Sequence, residues 1–371
     1  MIITLFTIIF VALLFTVLVV GHEFGHFIMA KRNGVEVEEF GVGFPPRVGK
    51  GKLVNGTIYS LNWLPLGGFV RMAGEDGNDA KPGTFSAASL WVKTKILLAG
   101  VVMNLIMAVV ILYAVCLTGL PGLGAQFAPS FLKSTYAQPK QLLLINIEAG
   151  SPAQAAGLVR YDRLLSIGGV KLNTDTQLRD YTNAHAGVKT TITYIHNNVQ
   201  KAATVQLRQP NDKGILGVDS QQTYKLKYGI FGSLVAAVWI TGALFVATIV
   251  AVVSLIIHIP ALILGLFSSQ VPAAAAAASG PVGIVYIFTA LSHLGFAYIF
   301  LFMANISVAL AGFNVLPLPA LDGGRLAVAA LRRVTGGKIS TESEATYHGI
   351  GFIALLGLVA LITVYDIRKH L

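Results

Sequence analysis

The first twenty residues, MIITLFTIIFVALLFTVLVV, carry no charged side chain, and the run leads directly into GHEFGHF at 21–27. Crossing about 30 Å of hydrocarbon takes roughly 20 residues of helix, so a segment this long and apolar is built to sit in lipid. A charge at the bilayer centre costs about 2.5–3.5 kcal/mol, and ionisable groups at membrane depth are normally functional. Any fold this chain adopts must therefore bury, pair or hydrate two imidazoles and a carboxylate at the inner end of a membrane segment.

The same length test selects 2–29, 96–120, 296–316 and 349–366 as four spans. From Tyr228 to Leu321 there is no Lys, Arg, Asp or Glu. Within that stretch 229–267 is apolar enough to cross but awkward, because VPAAAAAASGPVG follows and its Pro and Gly residues break helices. It is read as membrane-associated without being a simple span. Hydrophobic residues make up 54% of the chain, charged residues 12%, and mean hydropathy is +0.70, which excludes an ordinary soluble globular protein. The net charge of +10 points to cytoplasmic loops and anionic lipid, and nucleic acid is not an expected partner. Cys116 is the single cysteine, so no intrachain disulfide forms. The N-terminus lacks the basic start and small-residue cleavage site of a signal peptide and is read as a retained anchor.

The segment 31–95 alternates strand-like pieces with Gly and Pro turns and carries Lys31, Arg32, Arg47, Lys50, Lys52, Arg71, Lys81, Lys93 and Lys95. The positive-inside rule makes it cytoplasmic, and places the loop bearing Arg325, Arg332, Arg333 and Lys338 on the same side. Residues 122–227 differ, with β-type runs QLLLINI, TTITYI and ATVQL around a turn-rich centre. They predict a small soluble β-rich α+β domain, extracytoplasmic if the second span runs outward. The predicted fold class is a polytopic α-helical membrane protein with four core transmembrane helices, a membrane-associated β-hairpin region and that one outer domain.

On a helix His22 and His26 project from one face, with Glu23 turned about 100° towards the same cavity. H-E-x-x-H is a zinc signature: neutral imidazoles suit Zn²⁺, and the carboxylate can take a proton from the attacking water and deliver it to the leaving amine. The competing reading, helix-end histidines reaching for water or capping carbonyls, leaves Glu23 unexplained. A catalytic zinc needs a third protein ligand. In and around the charge-free stretch the only carboxylate at membrane depth is Asp322, in FNVLPLPALDGGRL, where Pro317, Pro319, Gly323 and Gly324 predict unwound backbone. Asp322 can alternatively cap the following helix, and both roles are compatible. His258, His293 and His348 lack a second donor at i+3 or i+4 and are read as interfacial or core residues, and Asn305 as a packing residue.

HEFGH on the first span together with NVLPLPALDGG on a late one resembles the site-2 protease family, bacterial intramembrane zinc metalloproteases. The resemblance extends to EEFGVGFPPRV, LNWLPLGGFVRMAGED, LLAGVVMNLIMAVVI, SGPVGI, and GSPAQAAGLVRYDRLLSIGGV as a PDZ domain. It implies Zn²⁺ held by His22, His26 and Asp322, Glu23 as general base, and Asn314 on the substrate backbone. The chain has AGVVMN where the family more usually has an AGP form, which leaves Asn104 a supporting residue of open role. Helical substrate has to be unwound before water can attack, and the hairpin around Gly67, Gly68 and Phe69 can hold it by β-augmentation.

The chain then divides into a first span (1–30), the β-loop region (31–95), a second span (96–120), the PDZ domain and flanks (122–227), an apolar segment (228–293), a third span (294–324), a basic loop (325–348) and a fourth span with the tail (349–371). The implied partners are the lipid bilayer, single-pass transmembrane substrates such as anti-sigma factors or remnant signal peptides, and a peptide tail in the PDZ groove. The implied location is the bacterial cytoplasmic membrane with the PDZ domain outside. A catalytically silent PDZ scaffold is the alternative. A zinc transporter is disfavoured by a single metal cluster and no inverted repeat.

Overall fold

The computed structural model describes residues 2–75, 81–196, 199–209, 214–265, 280–336 and 340–370. The chain forms two compact units: one of residues 1–112, 237–290 and 302–371, the other of 113–236 and 291–301.

In the first unit, helix α1 (Ile2–Arg32) ends in Lys31 and Arg32, cations that suit a helix C-terminus. A three-stranded sheet follows: β1 (Val37–Arg47), β2 (Lys52–Val54) and β3 (Thr57–Met72). β3 is long enough to flank β1 twice. Its first part places Tyr59 against Phe40 and Leu61 against Val42. Its last residues run antiparallel on the other side, with Val70 against Phe40 and Gly68 against Val42, and form an outer strand. Between them Trp63, 69% exposed, with Leu64, Pro65 and Leu66 forms an apolar exposed tip.

Glu39 is buried at 2% exposure in the middle of β1 and is fully engaged. It accepts from Ser60 Oγ at 2.6 Å, Arg47 Nε at 2.7 Å and Arg71 Nη2 at 2.7 Å. The Arg47 hydrogen bonds above all hold its carboxyl below the ordinary value near 4.5, with Ser60 and Arg71 adding to the effect against the cost of burial. A depressed folded pKa contributes stability that is present above pH 4.5 and lost as pH falls through the folded value. Glu39→Gln should cost about 1–3 kcal/mol at neutral pH and flatten the acid side of the stability curve, measured by thermal unfolding in detergent across pH.

Among the described residues five helices, the four expected core spans and one more, are long and apolar enough to cross a membrane: Ile9–Arg32 of α1, α2 (Leu90–Thr118), α6 (Ile230–Ile257), α9 (Phe296–Val315) and Thr341–Arg368 of α11 (Thr341–His370). The additional one is α6. The helix breakers that made 229–267 look awkward fall after it, so nothing interrupts the 28-residue helix, and an 18-residue stretch within it has a mean hydropathy of 2.7. The alanine run sits in 266–279, outside the described residues, as does Lys338. α7 (Ile259–Gly265) and the short α8 (Pro281–Ser292) stand on either side of the gap. α2 and α11 begin before 96 and 349 because their first turns are polar extensions. On α2, for example, Lys93 and Lys95 lie over the rings of Phe85 and Trp91 at 5.5 and 5.6 Å.

The expected unwound stretch near Asp322 is present: α9 stops at Val315 and α10 (Asp322–Val334) restarts after the two prolines. At the far end of α11, buried Asp366 accepts from Gly283 N–H of α8 at 2.8 Å, a second carboxylate in an apolar setting that hydropathy did not single out.

The second unit is built on a β-domain. After β4 (Leu120–Pro121) and α3 (Gly122–Ala125) come β5 (Thr135–Ile147), α4 (Pro152–Ala155), β6 (Arg163–Ile167), β7 (Val170–Lys171), α5 (Asp175–Ala184), β8 (Lys189–His196), β9 (Val199–Gln206) and β10 (Val218–Lys227). The strand order is β4-β10-β5-β6-β8-β9, with β7 on β6. Alternating residues of β5, β6 and β8, such as Leu142, Leu144, Leu164, Ile167, Ile192 and Tyr194, build its core. Ser151 caps α4 ahead of Pro152, and Thr174 with Gln177 closes a capping box on α5. This unit also contains the end of α2, the start of α6 and the start of α9.

Candidate active site

α1 carries His22 and His26 one turn apart, and the break between α9 and α10 delivers Asp322 to them. His22 Nε2 lies 3.0 Å from Asp322 Oδ2, His26 Nε2 lies 3.3 Å from the same oxygen, and the two Nε2 atoms are 3.1 Å apart. These three residues form the group able to hold a metal ion among the described residues. Tetrahedral ligands about 2.0–2.1 Å from a zinc ion stand about 3.3 Å from one another, so the donor set fits. Asp322 is the first residue of α10, but Leu321 occupies the N-cap position and no side chain caps the helix. The carboxylate faces the imidazoles instead.

The far sides of both rings are held. His26 Nδ1 lies 2.7 Å from the Ile96 carbonyl oxygen; a carbonyl can only accept, so Nδ1 carries a proton, and in the neutral imidazole this tautomer leaves the Nε2 lone pair for a metal. His22 Nδ1 faces the side-chain amide of buried Asn104 at 3.2 Å, and Asn104 Oδ1 is buried without a partner. A half-turn of that amide lets Oδ1 accept from His22 Nδ1–H and moves Nδ2 to the place Oδ1 now holds. Ser307 Oγ donates to the Asn104 carbonyl at 2.8 Å and ties α2 to α9.

Glu23 Oε2 accepts from the Val70 N–H at 3.0 Å, so the outer strand of the sheet touches the carboxylate directly. The strand can come this close because Gly68 has no side chain: a Cβ there would lie 2.9 Å from both Val20 Cγ2 and the Gly41 carbonyl oxygen. Gly67 is buried as well and donates its N–H to Thr16 Oγ1 at 3.1 Å, and Phe69 is half-buried. These three residues line the contact with α1 and β1. Asn314 makes no bond to the cluster; its Nδ2 donates to the Leu310 carbonyl at 3.0 Å.

Three further features were not anticipated. A Cβ on Gly100 of α2 would stand 2.5 Å from His26 Nε2 and 2.6 Å from His22 Cε1, so α2 leaves room for the imidazole pair only with glycine at this position. Arg325, three residues past Asp322, pairs with Glu75 just after β3, and Arg332 pairs with Glu344 at 3.1 Å. His348 Nδ1 accepts from the Ala320 N–H at 2.9 Å and fixes the turn before Asp322, where Ala320 has a φ of 68°. Gly100 was visible within LLAGVVMN, but no spacing rule marks it; a lone histidine such as His348 carries no signal at all.

An H-E-x-x-H helix completed by a distant aspartate, among helices able to span a bilayer, defines a membrane-embedded metalloprotease class. The family model for peptidase family M50 matches residues 10–358, and the chain belongs to that family. It is a zinc metalloprotease, as the site-2 protease resemblance implies. Zinc metalloprotease RasP of Geobacillus kaustophilus is 28% identical, covering 99% of this chain and 99% of that protein. Regulator of sigma-W protease RasP of Bacillus subtilis is 26% identical, with 98% of each chain covered. A crystal structure of the PDZ domain of an SdrC-like protein of Listeria monocytogenes is 22% identical, covering 24% of this chain and 93% of that one, with a TM-score of 0.21.

Proposed function

We propose that His22, His26 and Asp322 hold the zinc, and that Glu23 acts as general base in hydrolysing a peptide bond inside the transmembrane segment of a single-pass protein. One observation carries this reading. Donor atoms 300 residues apart in sequence converge to 3.0–3.3 Å at the inner end of an apolar helix, with a carboxylate beside them. Zinc, when bound, supplies a Lewis acid that polarises the scissile carbonyl and lowers the pKa of water. Glu23 accepts the proton of the attacking water and returns it to the leaving amine. The Ile96 carbonyl and Asn104 orient the two imidazoles.

The Gly68–Met72 strand lies along α1 at Glu23, and an extended substrate added there reaches the carboxylate. The exposed Trp63–Leu66 tip dips into lipid. Asn314, whose Nδ2 donates to the Leu310 carbonyl within α9, is the proposed contact for the unpaired substrate backbone. The β-domain is read as an extracytoplasmic PDZ domain that admits trimmed tails and excludes large ectodomains. Anti-sigma factors or remnant signal peptides in a bacterial cytoplasmic membrane are the proposed substrates; the sigma-W name of the Bacillus subtilis relative supports the first.

The Arg325–Glu75 pair supports placing both basic loops on one side, the cytoplasm. α2 ends, and α6 and α9 begin, in the unit of the β-domain. A chain that leaves that side through α6 must return before α9, so 228–293 makes two passes. The return includes the apolar helix α8.

Reconstituting the full chain with a tagged single-span substrate and mapping the new termini by mass spectrometry tests the reading. New termini within the span are expected; termini only outside it would overturn the intramembrane claim. Gly100→Ala should remove activity by at least about 100-fold because the methyl group occupies the space of the imidazoles. Asn104→Leu should weaken zinc about 10–100-fold, read by competition with a chromogenic chelator, with the fold intact.

A further inference from the structure

The second unit contains a cavity of about 320 Å³ whose wall is shared by Tyr161, Arg163, Thr223, Lys225, His293 and Tyr298. Two strands of the β-domain, β6 and β10, supply the cations, and the connection from α8 to α9 (292–295) with Tyr298 of α9 supplies the opposite wall. Among the described residues no carboxylate lines it. Lys225 Nζ stands 5.7 Å from the centre of the Tyr298 ring, and the Tyr298 hydroxyl meets Thr223 Oγ1 at 2.5 Å. The Tyr161 ring stacks on the His293 imidazole at 5.3 Å with 14° between planes, closing one side. Burial, and then the positive charge of Arg163, push the Lys225 ammonium below its ordinary pKa. A fold that brings an arginine and a lysine together in a concave polar site has built a place for an anion.

A neighbouring cavity of about 640 Å³ shares Tyr161, Arg163 and His293 and adds Arg160 and His196. The carboxylate among its described lining residues, Asp162, accepts from His196 Nδ1 at 2.7 Å and from Val159 N–H at 3.0 Å, so its oxygens are already engaged.

We propose that the Arg163–Lys225 cavity binds a phosphate group, supplied by the headgroup of an anionic phospholipid, and so pins the β-domain to the membrane surface. Position argues for lipid as the source. The cavity's second wall is the connection that leads into α9, a helix long and apolar enough to span a membrane, together with Tyr298 in its first turn, and Phe296 at the helix start is 75% exposed. The end of α2 and the start of α6 belong to the same unit. Headgroup phosphates lie at the depth where such helices emerge, and each Lys or Arg near an anionic surface contributes about 1 kcal/mol. The volume lies at the small end of ligand sites, suited to a glycerophosphate headgroup whose acyl chains remain in the bilayer. The proposal requires the membrane placement but not the catalytic assignment, so its failure leaves the protease reading untouched.

The test uses the full chain purified in zwitterionic detergent and titrated with short-chain phosphatidylglycerol, short-chain phosphatidylcholine, glycerol 3-phosphate, inorganic phosphate and a peptide with a free C-terminal carboxylate. Binding is read by native mass spectrometry. Phosphatidylglycerol should bind at least about fivefold more tightly than each other probe. Arg163→Gln with Lys225→Gln should weaken it by about 25-fold, and Arg163→Lys by much less. If the double variant does not fold, Lys225→Gln alone should still weaken binding about fivefold. Unchanged lipid binding in the folded variants would overturn the site. Inorganic phosphate or glycerol 3-phosphate binding as tightly as the lipid would overturn the lipid source, and preferential peptide binding would overturn the phosphate assignment.

Discussion

Glu23→Gln should reduce proteolysis by about 10²–10⁴-fold, the usual contribution of a positioned general base, while the protein keeps one zinc per chain. The substitution is close to isosteric, and a glutamine oxygen can still accept from the Val70 N–H that now meets the carboxylate at 3.0 Å. The strand therefore stays against α1, and only the capacity to take a proton is lost. Co-expression of a tagged single-span substrate with the wild type and the variant reads the cut, and metal analysis of the purified proteins reads the zinc. Equal cleavage by both would remove Glu23 from the chemistry. Unchanged cellular function without any cleavage would favour the silent-scaffold alternative.

Asp322→Ala should strip the metal. His22 and His26 alone leave a tetrahedral site with two protein ligands, and the expected loss in zinc affinity exceeds the roughly 10–100-fold typical of losing an outer-shell partner. Helix α10 should survive the change, because the Asp322 side chain forms no cap hydrogen bond and the helix-dipole contribution it gives up is only about 0.3–1 kcal/mol. Zinc content and activity should fall together, and a chelator should bring the wild type to the same state. Wild-type zinc affinity in a folded Asp322→Ala protein would show that the 3.0 Å approach to His22 is an ordinary hydrogen bond.

Much of the site was legible because its parts obey local rules. The His22–His26 spacing is a property of one helix face. Asp322 could be found by asking which carboxylate in a nearly charge-free region needs a reason to be there. Gly67 and Gly68 were legible as a bend, but not their use. In the structure they are buried, and Gly68 brings the strand so near α1 that a backbone N–H reaches Glu23.

What lay beyond the sequence are contacts between distant residues of unremarkable type. Gly100 matters through the 2.5 Å that separates a hypothetical methyl from His26, and His348 through one bond to the Ala320 backbone. The pair of Glu75 with Arg325 joins residues 250 apart. That α6 runs as one uninterrupted helix was not legible, because breakers that follow a segment in sequence need not lie within it.

The sequence by itself determined the solvent, the lengths of the apolar segments and the zinc-type residues, because transfer energies and helical periodicity act along a short stretch of chain. Only the tertiary structure decided that Asp322 faces the imidazoles, that α2 passes close enough to demand glycine at 100, and that an outer strand lies on Glu23. Those outcomes depend on how separate elements pack, and packing is set by shape complementarity across the whole unit rather than by any one segment.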